Sequence, residues 1–126
     1  MLGNASVTVT IRVADLEGAK SFYKDKLGLK EVKTFMEGQD MLYEVGGGTK
    51  IYLYQGPASV AEHTVASFEV ADVLAEVNEL KAKGIQFETY TEGPLKTDEN
   101  NIAHLGEWQA AWFKDPEGHI LAIGNM

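Results

Sequence analysis

Apolar and polar residues alternate from Thr8 to Val13, with Val9, Ile11 and Val13 set against Thr8, Thr10 and Arg12. A period of two built from β-branched residues predicts a half-buried strand. Asp15 then stands where a helix N-cap belongs. Leu16, Ala19, Phe22, Tyr23 and Leu27 recur at helical spacing, and Gly28 is placed to end the helix in the left-handed conformation. Three short strands are expected next, at 29–35, 41–45 and 50–54, separated by the turn-forming stretches 37–40 and 46–49.

The same order then begins again. Residues 64–70 read as a strand, Asp72 as a cap, and Val73, Leu74, Val77 and Leu80 as a helix stripe closed by Gly84. Val13-Ala14-Asp15 and Val70-Ala71-Asp72 are the same tripeptide, so the chain reads as a tandem duplication. Strands at 86–90, 108–113 and 120–123 complete the second copy. A polar insertion at 91–107 interrupts it, and loops of that length are usually lids, binding loops or disordered. Asp115-Pro116-Glu117-Gly118 fits a type I turn between the last two strands. Strand parity puts Trp108, Ala110 and Trp112 on one face, and Gln109, Ala111 and Phe113 on the other. The expected division is one domain, with module one at about residues 5–56, a linker at about 57–62, and module two at about 63–126.

Composition narrows the chemistry. The 126 residues include no cysteine, which removes disulfides, thiolate metal sites and Cys nucleophiles. A net charge of -8 argues against nucleic acid, whose phosphates need a basic surface. The acidity keeps a protein soluble and would also draw in cationic ligands. No apolar run approaches a membrane span, and the first ten residues lack the basic and apolar regions of a secretion signal, so a cytoplasmic protein is expected. Neither a Gly-x-Ser-x-Gly elbow nor a phosphate-binding glycine loop is present, and no catalytic residue is assigned.

The segment from Ile11 to Tyr23 with Leu27-Gly28, its weaker echo from Phe68 to Gly84, and the closing Phe113 to Gly118 together resemble the vicinal oxygen chelate superfamily, the glyoxalase/bleomycin resistance/extradiol dioxygenase group. The resemblance covers nearly the whole chain. It implies an α+β fold in which two tandem βαβββ modules form a curved eight-stranded cup, commonly in a homodimer. It does not imply one activity, because members include metal-dependent lyases, isomerases and dioxygenases as well as metal-free proteins that sequester antibiotics.

In the metal-dependent members, ligands come from equivalent strand positions of the two modules. By that resemblance the positions here are Thr8, Tyr52, Val65 and Ala122. None supplies the imidazole or carboxylate that suits such metals, so no metal and no cofactor is expected. His63 shares a face with Val65 but lies two residues, about 6.6 Å, along the strand. His104 belongs to the insertion and His119 to the turn end of the last strand.

Parity places Thr8, Thr10, Tyr52, Tyr54, Val65, Ser67, Trp108, Trp112 and Ala122 on the cup-facing side, with His63 and His104 near its mouth. Aromatic faces with scattered hydroxyls make a small-molecule pocket, though the same rings could fill the cup as core. The expected function is metal-independent binding of an aromatic or cationic small molecule, in the manner of bleomycin resistance proteins. A metal-dependent enzyme using His63, His104 and Glu107 remains the alternative. Glu69 and Asp72 are expected to serve the helix start, and Glu107 is the acid expected to meet a cationic ligand.

Overall fold

A computed structural model describes residues 1–59 and 62–125. The expected linker at about 57–62 includes residues 60 and 61, which lie outside the described residues. Two compact units, Met1–Ser59 and Val60–Met126, each carry one four-stranded sheet.

In the first unit, β1 (Thr8–Val13) leads into α1 (Leu16–Ser21), and β2 (Lys30–Lys33), β3 (Asp40–Glu44) and β4 (Lys50–Gln55) follow. The Asp15 carboxylate accepts the Gly18 N–H at 3.1 Å, which satisfies one of the free donors at the start of α1. After Ser21 the helix widens into a π-helical turn, Phe22–Lys26, and Gly28 ends it at φ 74°. The strand order is β1-β4-β3-β2, with β1 parallel to β4 and the other pairs antiparallel. Ile11, Val13, Ile51 and Leu53 are buried on one face, and Leu16, Ala19, Phe22 and Tyr23 are buried along the helical segment.

The second unit repeats the plan. It contains β5 (Thr64–Glu69), α2 (Val73–Ala82), β6 (Ala103–Leu105), β7 (Trp108–Lys114) and β8 (Ile120–Gly124), in the order β5-β8-β7-β6. Asp72 caps α2 through the Ala75 N–H at 3.1 Å, and Gly84 takes φ 89°. These match Asp15 and Gly28. Val73, Val77 and Leu80 are buried with Ala111, Phe113, Leu121 and Ile123.

The fourth strand of this unit differs from the expectation. Residues 86–90 do not form a strand; they meet β7 through one bridge, Phe87 to Phe113, made in part by the Glu88 N–H donating to the Trp112 carbonyl at 2.8 Å. The chain then leaves the edge of β7 and returns as β6, pairing Ala103 with Ala110 and Leu105 with Trp108. The supposed insertion is therefore an excursion within one edge strand, and its returning end is part of the sheet. Buried Thr97 pinches its base, donating its N–H to the Tyr90 carbonyl at 2.8 Å while its hydroxyl oxygen accepts the Tyr90 N–H at 3.0 Å. Asp98 accepts the N–H groups of Asn100 and Ile102, and its other oxygen meets His104 Nε2 at 2.8 Å. These polar side chains satisfy the backbone of a folded loop.

Candidate functional site

Two turns position the aromatic face of the second sheet. Between β7 and β8, the Gly118 N–H donates to the Asp115 carbonyl at 3.0 Å. The buried Asp115 carboxylate accepts the Glu117 and His119 N–H groups, both at 2.9 Å, and lies 2.8 Å from His119 Nδ1. His119 is thereby a turn residue. Between β6 and β7, Gly106 takes φ 67° at the first loop position, where a two-residue hairpin loop of the mirror-image type favours glycine. That turn sets Trp108 opposite Leu105.

Register then fixes the rows across the sheet. Ser67, Ala122 and Trp112 stand side by side; in the next row come Glu69, Gly124, Ala110 and Ala103. A cavity of about 390 Å³ lies on this face, lined by Ser67, Glu69, Trp108, Ala110, Trp112, Ala122 and Gly124, with Phe68, Leu105, Gln109 and Ile123. The volume falls within the usual range of small-molecule sites. Ala110, Ala122 and Gly124 make a floor with almost no side-chain bulk, and the indoles of Trp108 and Trp112 flank Ala110 along β7. Small residues between large ones leave room for a flat molecule.

The two tryptophans have different surroundings. Trp112 is only 8% exposed, packed with Ala103 and Ala122 and met by the Tyr90 ring at 5.4 Å, whereas Trp108 is 43% exposed. One indole is a fixed wall; the other presents an open face. Burial and the nearby Glu88 charge both push the Tyr90 phenol above its ordinary pKa, so it stays neutral beside the indole.

Of the residues expected from the sequence, the cavity brings together Ser67, Trp108, Trp112 and Ala122. Thr8, Thr10, Tyr52 and Tyr54 form a second group, on the sheet of the first unit, where Thr10 pairs with Tyr52. The Tyr52 and Tyr54 rings stack with centroids 6.1 Å apart, and the Tyr52 hydroxyl donates to the Asp40 carboxylate at 2.6 Å. Asp40 is fully buried and also accepts the Phe35 and Met36 N–H groups. Desolvation raises its pKa, but these three hydrogen bonds outweigh that effect and hold the carboxyl below its ordinary value. Val65 is half-buried at a register irregularity of β5, and exposed His63 precedes that strand. Neither is in the cavity lining. His104 is engaged by Asp98.

Sequence reasoning missed Glu69 and Tyr90. Glu69 was assigned to the helix start, but it lies two residues after Ser67 on the same strand, and that parity was the available signal for a cavity position. Tyr90 was placed only as the end of a strand. Its contact with Trp112 depends on where the chain leaves the sheet, which no local pattern encodes. Glu107, the acid expected to meet a ligand, is not in the lining.

The metal of the metal-dependent members fits these residues poorly. Thr8 offers a hydroxyl, Tyr52 a phenol already bonded to Asp40, and Val65 and Ala122 no donor atoms. Among the described residues no cluster of three His, Asp or Glu side chains is arranged to hold a metal ion. No helix among them is long and apolar enough to cross a membrane.

Two βαβββ units with mixed four-stranded sheets define an α+β protein of the glyoxalase/bleomycin resistance fold. The sequence matches the model of the Glyoxalase/Bleomycin resistance protein/Dioxygenase superfamily over residues 6–123, and the chain belongs to that family. No curated protein matches it in sequence. Among solved structures it is similar to UcmS2, at 20% identity and a TM-score of 0.74, over 97% of this chain and 98% of that one. TnmS3, an antibiotic binding protein from Streptomyces sp. CB03234, is similar at 21% identity and a TM-score of 0.69, over 95% and 93% of the two chains. The fosfomycin resistance protein FosX of Listeria monocytogenes is similar at 15% identity and a TM-score of 0.68, over 95% and 89%. At such identities the likeness is one of fold.

Proposed function

We propose that this protein is a metal-independent binding protein that holds a planar aromatic small molecule in the cavity of its second unit, with antibiotic sequestration as the named version of that role. The observation that carries the reading is the slot itself: two indoles on one strand face, separated by Ala110 and floored by Ala122 and Gly124. Stacking on an aromatic side chain contributes about 1–3 kcal/mol per ring for nucleobases, enough for useful affinity when two walls act together. The donor-poor residues at Thr8, Tyr52, Val65 and Ala122 support binding without a metal. The similarity to TnmS3 supports an antibiotic as one ligand class to test first.

The experiment is a tryptophan-fluorescence titration of chelator-treated protein against bleomycin and a panel of flat aromatic compounds, repeated with Trp108→Ala. Saturable quenching that survives chelation and is lost in the variant is expected. Unchanged affinity in Trp108→Ala, or binding that requires added metal, would overturn the reading.

A further inference from the structure

We infer that Glu69 is the charge-selecting residue of this cavity, restricting it to aromatic ligands that carry a positive charge. The inference rests on the pocket reading above and adds a ligand class and a residue that sets it. Glu69 closes β5, shares a face with Ser67, and pairs across the sheet with Gly124, which in turn pairs with Ala110. Those two neighbours carry almost no side-chain bulk, and the exposed Glu69 lines the open shelf they leave. Among the described residues it is the only ionisable side chain in the cavity lining. The ion pairs seen among the described residues, such as Lys24 with Glu31 and Lys114 with Glu88, use other carboxylates.

Three effects point the same way. Glu69 is exposed in the free protein, and a flat ring seated on the apolar floor would displace part of the solvent that screens its carboxylate, strengthening the attraction for a cation. The indole faces of Trp108 and Trp112 also favour positive charge. The net charge of -8 adds a long-range field of the same sign. An anionic ligand meets all three as repulsion, and a neutral one gains from none of them.

The test uses one ring system in three charge states: N-methylacridinium, neutral acridine at pH 8, and acridine-9-carboxylate, each titrated calorimetrically into the wild-type protein, Glu69→Gln and Glu107→Gln. The wild type is expected to bind the cation roughly tenfold more tightly than the neutral ring, the scale of a partly screened ion pair, and the anion least. Glu69→Gln should weaken the cation and close most of the gap, the remainder coming from the indole faces and the net charge, and Glu107→Gln should preserve the gap. Added salt should weaken cation binding more in the wild type than in Glu69→Gln. Equal binding of cation and neutral ring by the wild type, or a gap of the same size in Glu69→Gln, overturns the role of Glu69 and leaves the pocket standing. Failure of all three rings to bind overturns the pocket reading and this inference together.

Discussion

The Tyr90 ring meets the Trp112 indole edge to face, with centroids 5.4 Å apart and planes at 60°. Tyr90 sits where the edge strand departs from β7, and Thr97 bonds its N–H and carbonyl, so the ring is held from its own backbone. The inner wall of the cavity is thereby fixed from outside the sheet. An edge-to-face contact contributes about 0.5–1.5 kcal/mol beyond burial. Tyr90→Ala should lower the unfolding free energy in urea by more than that, since the ring's burial is lost as well, red-shift the Trp112 emission, and weaken aromatic ligands several-fold; Tyr90→Phe should do little. Unaltered emission and affinity in Tyr90→Ala would show that Trp112 holds its place without this contact.

Ala110 separates the indoles and is half-buried, which makes it the position for closing the slot with little damage to the core. Ala110→Leu should abolish binding of flat aromatic compounds while shifting the melting temperature by only a few degrees, since overpacking at a partly open site can relax outward. A circular-dichroism melt beside the fluorescence titration checks both parts. Full-strength binding in Ala110→Leu would place the ligand elsewhere.

The duplication was legible because its signals are local. Asp15 and Asp72 do cap helices, and Gly28 and Gly84 do take positive φ. Strand parity likewise placed Trp108, Trp112, Ser67 and Ala122 on one face, since a half-buried strand has only two faces to choose from. The fourth strand of the second unit was not legible. Two short pieces, at Phe87 and at Ala103–Leu105, share one edge position, and their partners lie on β7. Pairing across such separations depends on the partner strand, and neither piece carries an alternating pattern long enough to announce itself. Glu69 was misread for a related reason: a carboxylate three residues before a helix cap has an ordinary local explanation, and only the sheet shows what stands across from it.

Asp98 organises the excursion between those two pieces. The His104 hydrogen bond is the main influence holding its pKa below the ordinary value; partial burial works against this, and the Ile102 and Asn100 N–H groups add to the depression. A carboxyl depressed in the folded state contributes stability above its unfolded pKa of about 3.9, and that contribution is lost as pH falls through the lower folded value. Asp98→Ala should therefore flatten the acid limb of the stability profile and speed amide exchange at Asn100 and Ile102. An acid limb identical to the wild type would show that Asp98 is not linked to folding.

Asp40 and Tyr52 link the first unit to pH from both sides. Asp40 lies below its ordinary value because its hydrogen bonds overcome desolvation. Tyr52 is raised, first by the hydrogen bond it donates to Asp40, then by desolvation and by the negative charge beside it. The depressed acid stabilises the fold above about pH 4 and loses its effect as pH falls through the folded pKa. The raised phenol stabilises it below about pH 10 and loses its effect as pH rises through the folded value. Urea unfolding of the wild type from acid to alkaline pH should therefore show a plateau with losses at both ends. Tyr52→Phe removes the phenol, so its share of the alkaline loss should disappear. Asp40 would retain the Phe35 and Met36 N–H donors at 2.8 and 3.2 Å but lose its hydroxyl donor, so its folded pKa should rise toward the unfolded value and the acid loss should become smaller. The bond joins β4 to β3 beneath the stacked Tyr54 ring, so fluorescence of the two native tryptophans, both in the second unit, is the wrong readout. Circular dichroism of the whole chain, or the Tyr54 ring resonances, would report it. An alkaline limb unchanged by Tyr52→Phe would mean that another phenol sets it.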